Sequence, residues 1–529
     1  MDMQSEGNKV SIEENDPWQQ EALRRSEEQK KRIEKLNSIA AEAGKYLVGA
    51  ILLGLLFYFC FYDYYINIAG LVYPLFLVGL YAITWKTMKS QGVLFNKHCV
   101  GYVACSFLLA ISTILTTNLL IIFLNTVGII ILYLITLCRC YLVDKEMGIQ
   151  GFIMTIGRCV SGTFVCSRYF FKHSKGKIRF KKGNFEKSKS ITLGIVLATV
   201  FLGVVLPLLS QADAVFGNIL RFPFQAINIA NGYQIIRGVC FIFIPAILFY
   251  GLICSCYIRY METDEKQYRL WKPDAILIMT GIIAVTYILF CSIQIVYLFG
   301  GLFELPEGIT YAEYARQGFL QLLWVAVINI GLVLLLKIKC MPSKILNHIL
   351  LVLSICTVVM IISSAYRMIL YVKVYDLTRL RFLVLWFLIF LVFVVGQMMY
   401  YVYHSKYRIG KWLFTTALVA YMILSFGRMD YVIAKYNINA NEYMTADNFM
   451  YLTYLSLDAT PAIAELSEDR LLVDQEDNEY DYGYEEDSKE NYELYFQWIV
   501  NEYNSSIRGF NISNYIAYQS ALDKLAELK

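Results

Sequence analysis

The chain has 529 residues, of which 57% are hydrophobic and only 17% are charged, and its formal net charge is +4. Soluble globular proteins contain roughly 45–50% apolar and about 25% charged residues, so this composition excludes an ordinary soluble protein. The apolar residues form uncharged runs of about 17–25 residues, and each run is long enough to cross a hydrocarbon core of roughly 30 Å as a helix. The sequence therefore predicts an all-α, polytopic membrane protein.

Residues 1–45 precede the first apolar run and are predicted to form a charged cytoplasmic tail. Residues 46–427 are predicted to form a transmembrane bundle of about eleven helices. Leu71–Trp85 is the weakest span, because it is short and contains Pro74, and whether it crosses the membrane completely stays open. The predicted spans are Tyr46–Tyr62, Leu71–Trp85, Cys99–Thr116, Leu119–Cys138, Ile191–Leu209, Gly238–Tyr257, Ala275–Phe299, Phe319–Leu336, Ile345–Leu370, Phe382–Tyr403 and Trp412–Phe426.

Lysine and arginine are enriched in every second loop of this arrangement. Positive residues in short loops favour the cytoplasmic side of a membrane. The pattern therefore predicts a cytoplasmic N-terminus and an external C-terminus. The loop Tyr371–Arg381 is the one exception, because it carries positive residues on the predicted external side.

A cytoplasmic segment is predicted at residues 151–190, after the fourth span. Gly151–Phe171 has the character of an amphipathic helix lying at the inner surface. Lys172–Lys189 follows with eight Lys or Arg and a single acid, Glu186. Such a patch can bind anionic lipid, and it can equally be ordinary inside-facing charge that sets the topology. The sequence leaves both interpretations open.

The loop Leu305–Phe319 lies between two predicted spans, and its sequence predicts local structure. Thr310 and Glu313 have the spacing of a capping box, which predicts a helix start. Glu313 and Arg316 are three positions apart and can pair on one face of that helix. A well-capped entry into a membrane helix explains these residues, and a binding role for Glu313 and Arg316 is the alternative.

Polar groups inside the predicted spans are few. Arg367 lies near the external end of its span and needs a partner, or must extend its charge to the surface. The other polar groups at mid-span are mainly amides, at Gln294, Asn329 and Gln397. The lack of buried acids argues against an ion-coupled transporter.

Cysteine and histidine give no sign of a metal site. The thirteen cysteines lie between Cys60 and Cys356, so the C-terminal region cannot be a disulfide-stapled domain. All four histidines fall near the predicted cytoplasmic side. No glycine-rich phosphate-binding motif is present. We therefore predict no metal and no cofactor, and we expect no nucleic-acid partner.

Residues 428–529 are predicted to form an external, acidic, helical domain, with twenty Asp or Glu against seven Lys or Arg. Ser513 is the predicted N-cap of its last helix. Asp474–Asp487 does not match a calcium-binding loop and is interpreted as solvated chain. The predicted helices are Ala446–Leu457, Ala459–Leu466, Asn491–Tyr503 and Asn514–Leu528.

Five short strings lie at predicted external span ends or in the C-terminal region. They are Leu208–Phe216, Thr310–Phe319, Tyr375–Arg381, Leu455–Pro461 and Phe510–Ser513. Together they resemble a bacterial membrane-protein family labelled domain of unknown function 4153/4173. The resemblance implies a multi-pass protein of the bacterial cytoplasmic membrane with no assigned activity. The family usually has glycine where this chain has Asp376, which implies positive φ at that position.

These observations predict one external surface on which the C-terminal helices sit. Arg379 and Arg381 would be basic there because they face the acidic domain or a carboxylate of a neighbouring loop. The candidate residues of the surface are Asp213, Glu313, Arg316, Arg367, Arg379, Arg381 and Asp458.

Three classes of function stay open. The leading hypothesis is a non-enzymatic envelope sensor, scaffold or assembly factor whose acidic external domain meets a protein partner. The second is a transporter or channel for an uncharged or lipid-like substrate, which a polar path through Gln294, Asn329 and Gln397 would favour. The third is a transferase acting on lipid-linked substrates at the external face, with Asp63 or Asp213 as metal ligand or base.

Overall fold

The computed structural model describes scattered positions between residues 26 and 38 and eight continuous ranges. These ranges are 43–62, 70–141, 149–174, 229–257, 271–299, 319–471, 488–503 and 509–528. Within them the chain is all-helical, and strand-like pairing is limited to single bridges at Trp271–Cys340 and Met444–Leu471. Several predicted features lie outside the described residues, namely span Ile191–Leu209, Asp474–Asp487, loop residues 305–318 and most of Lys172–Lys189.

The first part of the bundle is built around two close helix pairs. Gly251 brings two helices together, since a Cβ there would lie 2.5 Å from the carbonyl oxygen of Thr163. Gly54 does the same at a second crossing, where a Cβ would lie 2.1 Å from the carbonyl oxygen of Ile242. The helices of this part are α1 (Ala43–Phe61), α2 (Val72–Ser90), α3 (Val100–Ser112), α4 (Leu119–Tyr141), α5 (Ile149–Ser174) and α6 (Ile229–Tyr257).

The second part of the bundle is organised around one long central helix, α9. Leu350 and Leu353 of α9 are buried in an apolar core with Val333, Val395 and Met398 from the helices beside it. At 1.5 Å per residue, α9 is about 48 Å long, which exceeds a hydrocarbon core of about 30 Å. The helices are α7 (Pro273–Phe299), α8 (Phe319–Lys339), α9 (Lys344–Tyr375), α10 (Arg379–Tyr403) and α11 (Ile409–Phe426).

Seven helices among the described residues are long and apolar enough to cross a membrane. They are α4, Ile236–Tyr257 of α6, Pro273–Val296 of α7, α8, α9, α10 and α11. These helices indicate a membrane-embedded protein, and the count of eleven stays a prediction. Tyr46–Phe61 and α3 are apolar but shorter. The α2 helix is not among the seven, and its last turns carry Lys86 and Lys89.

The C-terminal helices form a second packed unit, which we call the platform. Its core contains Ile433, Ile463, Tyr492 and Phe496, and these pack with Leu377 from the turn between α9 and α10. The platform therefore shares its core with the bundle. Its helices are α12 (Met429–Ala440), α13 (Ala446–Thr453), α14 (Thr460–Ala464), α15 (Ser488–Glu502) and α16 (Ile512–Glu527).

The platform differs from the prediction at α12, which was not predicted, and at the start of α16. Asn511, and not Ser513, is the N-cap of α16, and its side chain accepts from the amides of Ser513 and Asn514 at 2.9 Å and 3.2 Å. The helix begins two residues earlier than predicted. The Ser513 hydroxyl instead donates to Oδ1 of Asp458 at 2.6 Å.

Candidate functional site at the platform end

The platform covers one end of the bundle, which we call the platform end. Two turns of the bundle meet it there. One is the turn at residues 113–118 between α3 and α4, and the other is the turn at residues 376–378 between α9 and α10. The contacts between these turns and the platform are polar and buried.

Arg379 and Asp430 form a two-bond ion pair between α10 and α12. Arg379 donates from Nε to Oδ1 of Asp430 at 2.9 Å and from Nη2 to Oδ2 at 2.7 Å. The Asp430 side chain is fully buried, whereas that of Arg379 is 39% exposed. This geometry suits the planar fork of arginine. The pair fixes the start of the platform against the start of α10.

Asp430 also binds two other segments. Its Oδ2 accepts from Nδ2 of Asn118 and from the amide of Ser456, each at 2.9 Å. Burial acts to raise the pKa of the Asp430 carboxyl, but the bonds and charge of Arg379 and the bonds from Ser456 outweigh it and hold the pKa below its ordinary value. The carboxylate therefore stays charged and joins four segments of the chain.

Asp458 is a second buried carboxylate that joins the platform to the bundle, and it is 1% exposed. Its Oδ1 accepts from the amide of Thr117 at 2.7 Å, from the hydroxyl of Thr117 at 2.8 Å and from the hydroxyl of Ser513 at 2.6 Å. Its Oδ2 accepts from the hydroxyl of Thr116. Asp458 thus ties the 113–118 turn to the start of α16.

Asn511 completes the attachment of that turn. Its Nδ2 donates to the carbonyl oxygens of Thr113 and Thr116 at 3.0 Å and 2.9 Å. The amide of Ile512 donates to the carbonyl oxygen of Ile114 at 2.8 Å. One side chain therefore caps α16 and also binds the bundle.

The 376–378 turn is held by two asparagines, one within α12 and one at its C-cap. Asn437 exchanges two hydrogen bonds with the backbone of Leu377, at 2.8 Å and 3.0 Å. Asp376 has φ 63° and ψ 171°, so it lies in the positive-φ region expected for the usual glycine. Asn441 donates to Oδ1 of Asp376 at 2.8 Å. Arg381 donates to the carbonyl oxygens of Tyr375 and Asp376.

Saturation of the two carboxylates limits what the platform end can do chemically. A carboxylate has about four acceptor positions. Asp430 accepts four hydrogen bonds and Asp458 accepts four. Both are enclosed, so neither presents an oxygen to a substrate or a metal ion. Within the described ranges, no three His, Cys, Asp or Glu side chains are placed to share a metal ion.

The structure brings only some of the predicted surface residues together. Arg379 and Asp458 belong to the network just described, and Arg381 lies beside it. Arg367 lies within α9, more than two turns before the network. Asp213, Glu313 and Arg316 lie outside the described residues, as does Asp63.

Sequence reasoning missed the residues that make most of the contacts between platform and bundle, which are Asn118, Asp430, Asn437 and Asn511. An available signal for Asp430 was the unexplained arginine at position 379, which needed an acid nearby. Thr116 and Thr117 gave no signal, because a short uncharged turn is typical of any pair of membrane helices.

The three amides predicted for a polar path have separate partners. Oε1 of Gln294 accepts from Ser363 at 2.7 Å and from Nη2 of Arg367 at 3.3 Å. Asn329 accepts from Tyr287 and donates to Thr357. Gln397 donates to Thr416 between α10 and α11. These contacts place Gln294 and Asn329 on facing helices, with Gln397 at a different helix pair.

A family model described as a domain of unknown function, DUF4153, matches residues 103–466. The chain belongs to the DUF4153 family. The matched part covers well over half of the sequence and includes Asn118, Arg379, Asp430 and Asp458. Membership confirms the family predicted from the five strings, although the match starts earlier than Leu208 and ends before Asn511.

No curated protein and no solved structure matches the chain. Family membership therefore assigns no activity to the chain.

Proposed function

We propose that this DUF4153 protein is a non-enzymatic scaffold or assembly factor of the bacterial cytoplasmic membrane. In this proposal the N-terminus is cytoplasmic, and the platform lies on the external side and presents a fixed surface to a protein partner. The observation that carries the proposal is the saturation of Asp430 and Asp458. Acids that would serve catalysis in an enzyme serve here to fasten one folded unit to another.

Exposed aromatic side chains on the platform support the proposal of a protein partner. Tyr443, Tyr454 and Trp498 are 52%, 68% and 53% exposed. Tyrosine and tryptophan are the side chains that most often dominate binding energy at protein interfaces. The C-terminal region also has twenty acids against seven basic residues. A partner with a basic surface around an aromatic-binding patch fits this chemistry.

Photocrosslinking in living cells tests the proposal. A photoreactive amino acid is placed at Tyr454 or Trp498, and the matched control is Trp412, which is 47% exposed at the opposite end of the bundle. We expect a discrete protein adduct from the two platform positions and a different pattern from position 412. Asp458→Ala should reduce the platform adducts, because the surface is then no longer held in place. Absence of any adduct from both platform positions would count against a partner.

Sidedness is tested separately with protease added outside intact spheroplasts. We expect cleavage within the platform and protection of residues at the opposite end. Cleavage of the platform only after the membrane is opened would place it in the cytoplasm and would contradict the external assignment.

Transport of a lipid-like substrate is the second candidate, and one observation favours it. A cavity of about 380 Å³ lies between α7, α8 and α9 and is lined by Gln294, Gln321 and Arg367 among others. A transporter would speed the movement of a fluorescent phospholipid between the leaflets of proteoliposomes, and Val325→Trp, which fills the cavity, would stop it. Movement no faster than in protein-free vesicles excludes this candidate. Nothing described favours the transferase, since Asp63 and Asp213 lie outside the described residues.

A further inference from the structure

A second cavity, of about 230 Å³, lies between α2, α3 and α4. All of its lining residues belong to the range 70–141, which the structure describes without a gap. Sites for drug-sized ligands have volumes of roughly 300–1,000 Å³, so this cavity has room for one end of an amphiphile. Its polar lining consists of Tyr81, Thr84, Trp85, Tyr133 and Thr136, and the remaining lining is apolar.

The cavity lies beside the membrane-spanning part of α4. The α4 helix is one of the seven that are long and apolar enough to cross a membrane, and it ends at Tyr141. Tyr133 and Thr136 precede that end by eight and five residues, which corresponds to about 12 Å and 8 Å along a helix. A ligand at this depth comes from the bilayer, so part of it must be apolar.

The hydroxyl protons of the lining are already donated within the protein. A hydroxyl group has one proton and two acceptor lone pairs. Thr84 donates its proton to the carbonyl oxygen of Leu80 at 2.7 Å. In the 2.7 Å contact between Thr84 and Tyr133, the phenol of Tyr133 is therefore the donor. Thr136 donates to the carbonyl oxygen of Leu132 at 2.8 Å.

Tyr81 follows the same pattern. Ser106 donates to the carbonyl oxygen of Val103 at 2.7 Å, so Tyr81 is the donor in its 3.1 Å contact with Ser106. The four hydroxyl side chains of the lining therefore offer only lone pairs to a ligand. The indole N–H of Trp85 is the remaining side-chain donor of this lining. Such a lining selects a ligand group that donates a hydrogen bond.

The charges around the cavity disfavour a cationic donor. Residues 70–141 contain no Asp or Glu, so this part of the chain supplies no counter-charge. Lys86 and Lys89 are exposed in the last turns of α2, and Nζ of Lys89 lies 5.5 Å from the centroid of the Trp85 ring. An ammonium group in the cavity would be costly within the membrane and would be repelled by Lys89. The donor that fits is a neutral hydroxyl group.

We propose that this cavity binds the hydroxyl end of a neutral membrane alcohol, such as a diacylglycerol or a long-chain alcohol. The hydroxyl donates to the phenol oxygen of Tyr81 or Tyr133, and the carbon chain packs on Met88, Phe95 and Val103. The proposal is independent of the scaffold function, because none of these residues takes part in the contacts between the platform and the bundle.

Photolabelling in phosphatidylcholine nanodiscs tests the proposal with the full-length protein. The probe is 1-decanol that carries a diazirine on its chain, and adducts are mapped by mass spectrometry. We expect adducts on the apolar lining, at Met88 or Phe95. Unlabelled 1-decanol should compete at a membrane mole fraction about tenfold lower than its isomer methyl nonyl ether, because the ether cannot donate a hydrogen bond. Adducts no more frequent at the cavity than on the exposed side of α4 would overturn the proposal.

Two variants test whether the phenol oxygens recognise the hydroxyl. Tyr81→Phe combined with Tyr133→Phe should still be labelled, but the alcohol and the ether should then compete equally. Tyr73→Phe is the matched control and should keep the preference, because Tyr73 is also a buried tyrosine of α2 and bonds to Thr126 at 3.0 Å, outside the cavity. Equal competition by the alcohol and the ether in the unaltered protein would overturn hydroxyl recognition.

Two further competitors identify the source of the donor. Decylammonium should compete more weakly than 1-decanol, and stronger competition would show a cation site. Soluble glycerol should not compete, and competition would show a soluble polyol ligand. Either of these contrary results would overturn the assignment to a membrane alcohol.

Discussion

Removal of the Arg379 side chain leaves a buried charge without its partner. Asp430 is fully buried and would keep only the neutral donors of Asn118 and Ser456. Breaking a buried pair by deleting one partner costs about 3–5 kcal/mol. Because Arg379 itself is 39% exposed, we take the lower end, about 3 kcal/mol, as the expected loss for Arg379→Ala. The loss should appear as a larger population of molecules in which the platform has separated from the bundle.

Native-state proteolysis of the full-length protein in nanodiscs measures that opening. When opening and closing are fast relative to cleavage, the cleavage rate follows the population of the open form. A loss of about 3 kcal/mol therefore predicts cleavage more than about a hundredfold faster in Arg379→Ala. Adding Asp430→Asn to Arg379→Ala should recover part of the loss, since the buried charge is then removed as well.

A second ion pair of the platform supplies the matched control. Lys435 and Glu465 lie 3.6 Å apart with both side chains about half exposed. Exposed pairs contribute little to stability, so Lys435→Ala should leave the cleavage rate unchanged. If Arg379→Ala and Lys435→Ala behaved alike, the buried pair would not be what fastens the platform.

Three further predictions concern the same region. Asp376→Gly should stabilise the protein by about 1 kcal/mol in thermal unfolding. It relieves about 1–3 kcal/mol of backbone strain at positive φ, which exceeds the roughly 1 kcal/mol lost with the hydrogen bond from Asn441. A lower melting temperature would contradict this. Burial raises the pKa of Tyr495 to about 12. The neutral phenol therefore contributes its full stabilisation below about pH 10, and the free energy of unfolding falls by up to about 1.4 kcal/mol per pH unit as the pH rises towards 12. Tyr495→Phe should flatten this decline in denaturant titrations. Asn511→Ala should lower the free energy of unfolding by about 2 kcal/mol, because the cap of α16 and two hydrogen bonds to the bundle are lost. Hydrogen exchange in the first turn of α16 should become faster. Unchanged exchange there would argue against the capping role.

The helices could be predicted largely from the sequence because their signals are local. Uncharged apolar runs mark the spans, and four platform helices were predicted close to their observed bounds, with α13 beginning at Ala446 as expected. The fifth, α12 (Met429–Ala440), was not predicted. Positive φ at Asp376 was also predictable, since the family usually has glycine there. In each case the deciding information lies within a few residues of the feature.

The fastening network could not be predicted because its information is not local. Thr117 and Asp458 are 341 positions apart, and neither lies in a pattern that points to the other. Asp430 lies in the first turn of α12, where an acid is typical of any helix start because it interacts with the helix dipole. Only the three-dimensional contact with Arg379 distinguishes it.

Hydrogen–deuterium exchange of two backbone amides tests most directly whether the platform and the bundle form one fastened unit. The amide of Ser456 bonds to Asp430, and the amide of Thr117 bonds to Asp458. In the intact protein we expect both amides to exchange as slowly as the buried core of α16, and Asp458→Ala should release Thr117 while Ser456 stays slow. Exchange at Thr117 as fast as an exposed loop amide in the unaltered protein would contradict the fastening.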